Sequence, residues 1–273
     1  MKPSRPVIRY HGSKYRIAEW VVSHFPPHRE YVDVFGGAGS VLLSKPQAKL
    51  EVYNDLDSRI VNLFRVLRDP EKAAELIRSL ELTPFARDEL EACYEDCECP
   101  VESARRLIVR AYQGFGADSA VRGHRTGFRS TRTDGFTPAK EWMKYPPAVS
   151  EFVQRLQGVI VENKSWDQLI PHYDSEDCFM YLDPPYLLET RTARRGYRHE
   201  MEDEEHEALL RLIKSSDSMF AISGYDSDLY NDLLAGWEKR TLRARAEKNK
   251  PRIEMLWLCP RTSEAQTQTE LSI

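Results

Sequence analysis

Long apolar runs are absent from this sequence of 273 residues. No window approaches the ~18 consecutive apolar residues that a membrane-spanning helix requires, so we expect no insertion into a membrane. The N-terminal residues include basic side chains but neither an apolar run nor a small-residue cleavage site, so they do not resemble a secretory signal. Internal repeats and low-complexity linkers are also absent. These features favour a globular protein of the cytoplasm.

Cysteine is scarce, with 5 residues in the chain. An odd number of thiols argues against a disulfide framework and fits a reducing compartment. Cys93, Cys97 and Cys99 form a cluster, but it lacks the paired spacing of a zinc site and has no matching pair of Cys or His residues downstream. We therefore expect no bound metal.

An overall excess of positive charge is absent too, because the formal net charge is −4. Phosphate binding needs local cations, however, and residues 101–145 contain nine Lys and Arg against four Asp and Glu, an excess of five positive charges. Four arginines in a loop rich in Gly, Ser and Thr are candidates to contact phosphates or guanine edges. A solvated Arg-rich loop without a ligand is the alternative. The candidates are Arg122, Arg125, Arg129 and Arg132.

Apolar runs of strand type alternate with helical patterns at both ends of the chain, which predicts a parallel sheet. The runs cover residues 30–35, 50–54, 158–163, 178–183 and 219–224, with an amphipathic helix over 202–216. Residues 239–246 and 252–258 alternate well enough for a final antiparallel pair.

The strand pattern disappears between the second and third runs, where helical patterns surround the basic loop. We therefore predict an α/β domain formed by residues 1–68 and 158–261, interrupted by a helical domain at 69–157. The polar segment 262–273 is expected to be a disordered tail.

A glycine-rich turn, Asp-Val-Phe-Gly-Gly-Ala-Gly-Ser, occupies residues 33–40 after the first predicted strand. Glycines between a strand and a helix let the backbone approach a nucleoside-bearing ligand, and an acid after the next strand can accept hydrogen bonds from ribose hydroxyls. Asp55 occupies that position. The Gly-Lys-Ser/Thr of a P-loop is missing, which disfavours a nucleoside triphosphate. A turn that serves only tight packing is the alternative.

Asp183, Pro184, Pro185 and Tyr186 follow the apolar run that ends at Leu182. Proline fixes φ and donates no hydrogen bond, so neighbouring carbonyls remain available as acceptors. An exocyclic base amine is a poor nucleophile, but it improves when Asp183 and the Pro184 carbonyl accept its two protons. Tyr186 would stack on the flipped-out base. An ordinary strand exit is the alternative, although it does not require this combination of residues.

These motifs resemble those of the Dam-type DNA adenine methyltransferases, including enzymes carried by phages and prophages. Residues 10–14, Tyr-His-Gly-Ser-Lys, are similar to the family's N-terminal cofactor motif, with Ser13 where relatives usually have a second glycine. Residues 35–40 resemble its glycine motif, 54–57 its ribose-binding acid, and 183–186 its catalytic DPPY motif. The order of these motifs, with the insertion before DPPY, also matches.

The resemblance implies a Rossmann-like, class I methyltransferase sheet with a C-terminal antiparallel hairpin and a helical insertion for DNA recognition. It implies methyl transfer from S-adenosylmethionine to N6 of a flipped adenine in double-stranded DNA, without a metal. The implied catalytic residues are Asp183, Pro184, Pro185 and Tyr186. The expected cofactor residues are Tyr10, Lys14, Asp33, Phe35, Gly36, Gly37, Gly39, Ser40, Asp55 and Asp183.

Two alternatives stay open at this point. An enzyme acting on N4 of cytosine typically has serine at the first DPPY position, so Asp183 favours adenine. A DNA-binding protein with a relict cofactor pocket is the second alternative, although every matched catalytic position is present. We further expect a prokaryotic or phage-encoded enzyme of the restriction-modification type, acting as a monomer or weak dimer without an obligatory protein partner.

Overall fold

The computed structural model describes residues 3–116, 119–120, 125–130, 137–191, 197–245 and 251–270. Within these residues one sheet contains seven strands: β1 (Glu30–Asp33), β2 (Leu50–Asn54), β3 (Ile160–Glu162), β4 (Cys178–Leu182), β5 (Met219–Gly224), β6 (Glu238–Arg245) and β7 (Pro251–Leu258). Their order across the sheet is β3-β2-β1-β4-β5-β7-β6.

The first five strands are parallel, since β1 pairs with β2 and β4, β2 pairs with β3, and β4 pairs with β5. Strand β7 is antiparallel to both β5 and β6. This topology confirms the predicted α/β sheet with a C-terminal antiparallel hairpin. From β1 the chain extends to one side through β2 and β3, and to the other through β4 and β5. Open α/β sheets bind ligands at the carboxyl ends of strands where such a reversal occurs, here between β1 and β4.

Helices connect the strands and cover both faces of the sheet. In the described part of the chain they are α1 (Ala18–Val22), α2 (Ser40–Ser44), α3 (Ser58–Arg68), α4 (Pro70–Leu82), α5 (Arg87–Ala92), α6 (Pro100–Gln113), α7 (Pro138–Met143), α8 (Tyr145–Arg155), α9 (Trp166–Tyr173), α10 (Asp203–Ser215), α11 (Asp228–Leu233) and α12 (Pro260–Glu270), with single 3-10 turns at Lys14–Arg16 and Leu188–Thr190. The predicted amphipathic helix over 202–216 is α10. Helix α3 begins after Asp57, whose side chain accepts a hydrogen bond from the Arg59 backbone N–H.

Apolar side chains cover both faces of the sheet, because successive strand residues point to opposite sides. Tyr31 and Phe179 lie in an apolar cluster with residues of helices α3 to α8. Val32 and Met180 lie in a second cluster with residues of α9, α10 and α11. The helical segment at 69–157 therefore shares a core with the sheet, and its status as a separate domain stays a prediction.

A buried ion network joins that helical segment to strand β2. Glu51 accepts hydrogen bonds from Lys45 at 2.7 Å and from Arg155 of α8 at 2.7 Å, and all three side chains are almost completely buried. Arg155 also donates to the Leu42 carbonyl at 2.6 Å. Burial alone would raise the pKa of Glu51, but the hydrogen bonds from Arg155 and Lys45 outweigh it and lower that pKa.

The C-terminal segment differs from the expected disordered tail at 262–273, because residues through Glu270 belong to helix α12. Thr262 is fully buried, and its hydroxyl donates to the Phe220 carbonyl at 3.0 Å. Gln266 donates to the His24 carbonyl, and Ala265 packs against the core. The polar composition of residues 262–273 predicted disorder, but these few contacts hold helix α12 against the rest of the protein. Residues 271–273 lie outside the described residues.

No described helix is both long enough and apolar enough to span a bilayer. Among the described residues, no group of three or more His, Cys, Asp or Glu side chains is arranged to hold a metal ion. Cys93, Cys97 and Cys99 are free thiols.

Candidate active site

A cavity of about 250 Å³ lies where strands β1, β2 and β4 end. Its walls come from the residues that follow these strands and from the N-terminal segment around Tyr10. The structure brings the expected cofactor residues together there, except Gly39, which shapes the turn without lining the cavity. Of the expected catalytic residues, Asp183 and Pro185 line it. The lining includes Tyr10, Lys14, Asp33, Phe35, Gly36, Gly37, Ser40, Asp55, Asp183 and Pro185.

The glycine turn after β1 has a backbone that other residues would strain. Gly37 and Gly39 have φ of 49° and 64°, in the left-handed region that favours glycine. A Cβ on Gly36 would overlap the ring of Tyr53, and one on Gly37 would lie 3.3 Å from the ring of Tyr10. Packing therefore requires glycine at 36 and also at 39, where a Cβ would overlap the Phe64 ring, and the backbone conformation favours glycine at 37. The turn thus brings bare backbone to the cavity wall.

Asp55 links the end of β2 to this turn. One carboxylate oxygen accepts a hydrogen bond from the Gly37 N–H at 2.8 Å, and the other accepts one from the Asp57 N–H at 2.8 Å. Burial is the main cause that raises the pKa of Asp55 to about 6. The acid predicted from sequence is thus held against the glycine turn.

Three carboxyl groups lie close together near the carboxyl ends of β1 and β4, where the strand order reverses. Asp33 is only 2% exposed, and burial, reinforced by the neighbouring Asp183, raises its pKa to about 8. Burial also raises the pKa of Asp183, although Lys14 opposes this effect. Asp55, which also lines the cavity, completes the group. A cluster of acids with so few cations makes the cavity suitable for a positively charged ligand.

Lys14 and Asp183 form an ion pair at 2.8 Å, with side chains only 9% and 17% exposed. Lys14 also donates to the Gly12 carbonyl at 3.3 Å. Burial alone would lower the pKa of Lys14, but the charge of Asp183 outweighs it and holds that pKa above its usual value. Ser13, at the position where relatives usually have glycine, hydrogen-bonds through its hydroxyl to the hydroxyl of Ser40 at 2.9 Å.

Tyr186 is buried beside this ion pair. Lys14 Nζ lies 4.7 Å from the centre of its ring, and the ring of Tyr225 meets it edge-on at 4.6 Å. Its hydroxyl donates to Glu254 of strand β7 at 2.9 Å. Neither Tyr225 nor Glu254 was singled out by the sequence motifs.

Residues 197–201 cover one side of the cavity, and sequence reasoning did not assign them to the site. Arg191 and Glu200 form an ion pair at 2.6 Å, and Glu200 also accepts from the Tyr197 N–H at 2.9 Å. The Tyr197 hydroxyl occupies the space that a side chain on Gly12 would need. The sequence signals for Tyr197 were its position after DPPY and the similarity of residues 197–201 to phage-type members of the family, and neither defined its contact with Gly12.

The basic loop is only partly described, and Arg122 and Arg132 lie outside the described residues. Residues 125–130 return alongside the end of α6, with an antiparallel bridge between Gly114 and Phe128. Arg125 is exposed, whereas Arg129 forms an ion pair with Glu141 at 2.6 Å. The two described arginines therefore differ in how freely they can reach a phosphate.

Tyr94 anchors this loop. Its hydroxyl accepts a hydrogen bond from the Thr126 N–H at 2.9 Å and lies 3.0 Å from the Thr126 hydroxyl. The guanidinium of Arg125 lies 5.9 Å from the centre of the Tyr94 ring. Phe115, at the start of the loop, is 64% exposed, which is unusual for an aromatic side chain.

Comparison with known proteins assigns this chain to a family. A model of the D12 class N6 adenine-specific DNA methyltransferases matches residues 10–95 and 136–248. DNA adenine methylases from two strains of Vibrio cholerae serotype O1 are 32% identical over 202 residues, which is 71% of this chain and 69% of theirs. The type II methyltransferase M.MjaIII of Methanocaldococcus jannaschii is 20% identical over 289 residues, covering 90% of this chain and 95% of that protein.

The family match includes the glycine turn, Asp55 and the DPPY residues, which the structure gathers around one cavity. It omits residues 96–135, where all four candidate DNA-binding arginines and most of the basic loop lie. The homologous methylases act on adenine in DNA by name, which disfavours the cytosine alternative. The chain belongs to the D12 class of N6 adenine-specific DNA methyltransferases.

Proposed function

We propose that this enzyme transfers the methyl group of S-adenosylmethionine to N6 of an adenine flipped out of double-stranded DNA, with Asp183 as the acceptor that activates the amine. The observation that carries this proposal is the position of Asp183. It lines the same cavity as Gly36, Gly37 and Asp55, and it is buried there beside Lys14. A methyl donor held by the glycine turn and a base held by DPPY would therefore share one enclosed space.

The cavity suits S-adenosylmethionine in charge and in shape. This donor supplies a methyl group bound to a cationic sulfonium. Asp55 and Asp183 provide carboxylates for the sulfonium and the ammonium group, and a bound cation would also favour ionisation of Asp33, whose pKa is raised to about 8 by burial. The glycine turn leaves room for the nucleoside, and Asp55 is placed to accept hydrogen bonds from its ribose hydroxyls. Tyr10, which lies against Gly37 and lines the cavity, would also contact the donor.

Asp183 and the Pro184 carbonyl would accept hydrogen bonds from the two N–H groups of the adenine amine. This arrangement withdraws the nitrogen lone pair from conjugation with the ring and directs it at the methyl group. Asp183 must be ionised for this role, and Lys14 favours the ionised form in a site where burial opposes it. Tyr186 would stack on the base and keep it in place.

The surface around the basic loop would bind the DNA. Exposed Arg125 can contact a backbone phosphate, and exposed Phe115 can stack on a base at the point where the duplex opens. Arg122 and Arg132 remain candidates for the same surface. Arg129 would contribute less, because its charge is already paired with Glu141.

Methylation assays with Asp183→Ala test the proposed chemistry. We expect the rate of methyl transfer from labelled S-adenosylmethionine to DNA to fall at least about 100-fold, because a preorganised acceptor is lost. DNA binding should remain close to wild type, because Asp183 is proposed to contact only the amine of the flipped base, whereas the other proposed DNA contacts are made by other residues. Mass spectrometry of the digested product should identify N6-methyladenine.

Asp232→Asn is the matched control, because Asp232 is an exposed acid on helix α11. Its rate should equal that of the wild type. Wild-type rates in Asp183→Ala would remove Asp183 from catalysis. N4-methylcytosine as the product would contradict the proposed target.

A further inference from the structure

Glu254 is an acidic residue placed at the active site by the antiparallel hairpin rather than by any catalytic motif. Strand β7 runs opposite to β5, with Met255 paired to Gly224, so the beginning of β7 lies at the carboxyl end of β5. Glu254 precedes the buried run Met255–Cys259. The hairpin therefore brings a carboxylate to the carboxyl ends of the parallel strands, where β4 ends and the DPPY motif begins.

The Tyr186 ring is held on several sides, and Glu254 accepts a hydrogen bond from its hydroxyl. The Tyr186 hydroxyl donates to Glu254 at 2.9 Å. The Tyr225 ring meets the Tyr186 ring at 77°, and the Arg252 guanidinium lies 5.0 Å from the centre of the Tyr225 ring. Ring contacts are apolar or weakly directional, whereas a hydrogen bond from the hydroxyl to a carboxylate fixes the position of the tip of the ring.

We propose that Glu254 is a positioning residue for methyl transfer. By accepting the Tyr186 hydroxyl hydrogen bond, it fixes the ring in the orientation that stacks on the target adenine. This inference rests on the proposed function, in which Tyr186 stacks on the flipped base. A poorly oriented ring would leave the base mobile in the site, so the amine would spend less time in line with the methyl group.

A double-mutant cycle tests this proposal, because it isolates the coupling between the two side chains. The variants are Glu254→Ala, Tyr186→Phe and the double variant, with Glu254→Gln as a replacement that keeps an acceptor oxygen. Sequencing of a methylated DNA pool first identifies the target site. An oligonucleotide with 2-aminopurine at that adenine then reports base flipping by fluorescence, and steady-state assays give kcat and KM.

We expect Glu254→Ala to lower kcat and the flipping signal roughly tenfold, the effect of losing a hydrogen bond to a charged acceptor. KM for S-adenosylmethionine should change little. Glu254→Gln should recover most of the loss. In the Tyr186→Phe background, Glu254→Ala should add much less, because the bond to Tyr186 is already gone and only the contact of Glu254 with Tyr225 remains. A merely structural role would instead lower the unfolding temperature and affect both backgrounds equally.

Additive losses in the double variant, or full activity in Glu254→Ala, would overturn the proposal. If Glu254→Ala does not fold, Tyr186→Phe alone decides, since it removes the same bond from the other side and must lower the flipping signal. Tyr186→Ala tests the proposed stacking role of Tyr186 separately from the positioning role of Glu254. An unchanged flipping signal in that variant would refute the stacking role of Tyr186, and with it the proposed base contact, whatever Glu254 does.

Discussion

In the proposed mechanism, Asp183 meets two opposing demands. It must be buried so that water does not compete for the amine, and burial raises its pKa. It must also be ionised to accept hydrogen bonds, which burial disfavours. Lys14, at 2.8 Å, reconciles these demands because its charge stabilises the carboxylate inside the cavity. Lys14 therefore acts on catalysis through the charge state of its neighbour.

Replacing Lys14 by Met tests this linkage through the pH dependence of kcat. Because the pKa of Asp183 is raised in the folded enzyme, activity should be lost as the pH falls through that pKa. Removing the nearby cation would raise the pKa further, so the acid limb of the profile should move to higher pH. The measurement is kcat against pH at saturating S-adenosylmethionine for wild type and Lys14→Met.

Lys14→Arg provides the matched comparison, since it keeps a positive charge beside Asp183. Its acid limb should stay closer to that of the wild type than the limb of Lys14→Met. Identical profiles for all three enzymes would show that Lys14 does not control the charge of Asp183.

Elements with local signals were predictable from the sequence. The glycine turn was recognisable because its residues are contiguous, and the structure adds the reason that Gly36 faces the Tyr53 ring. Asp183 was recognisable because it ends the apolar run that forms β4. The placement of β4 beside β1 had no local signal, since strand order depends on packing between segments far apart in the chain.

Contacts between distant segments were not predictable from the sequence. Glu254 is one acid among many until the hairpin brings it to Tyr186. Counting charges assigned Arg129 to DNA, but only the structure reveals its pairing with Glu141. Thr262 looked like part of a disordered tail because its burial depends on Phe220, which belongs to another element.

Arg125→Ala tests the loop of residues 125–130 as a DNA-binding element. Loss of one phosphate contact should weaken DNA binding and reduce the slope of log K against log salt by about 1. Arg129→Ala should reduce the slope less, because Arg129 already pairs with Glu141. Fluorescence anisotropy with labelled duplex DNA over a range of salt concentrations gives both slopes.

Arg261→Ala is the control for this measurement. Arg261 pairs with Asp217, just before β5 begins, so it lies at the end of the sheet opposite the cavity. Its removal should leave the slope unchanged. The same slope in Arg125→Ala as in wild type would exclude Arg125 from the contact surface.

On the scale of the whole molecule, the helical segment and the sheet are joined by more than chain connections. Apolar residues of α3 to α8 and of the strands form one cluster. The network of Glu51, Lys45 and Arg155 ties β2 to α8 inside that cluster. DNA bound by the helical segment would therefore be held at a fixed position relative to the cavity. We expect the described parts to unfold in one cooperative transition.

Glu51→Ala tests this coupling, because it leaves the buried charges of Lys45 and Arg155 without their carboxylate. The free energy of unfolding should fall by about 3–5 kcal/mol, the usual cost of removing one partner from a buried ion pair. The pKa of Glu51 is lowered in the folded state, chiefly by hydrogen bonds from Arg155 and Lys45 acting against burial. Its stabilisation is therefore present at neutral pH and lost as the pH falls through that pKa.

Urea unfolding of wild type and Glu51→Ala at several pH values measures both effects. Lys72→Ala, which breaks an exposed pair with Asp69, should change stability little. Equal stability of Glu51→Ala and wild type, or two separate transitions in wild type, would mean that the helical segment and the sheet are not energetically coupled.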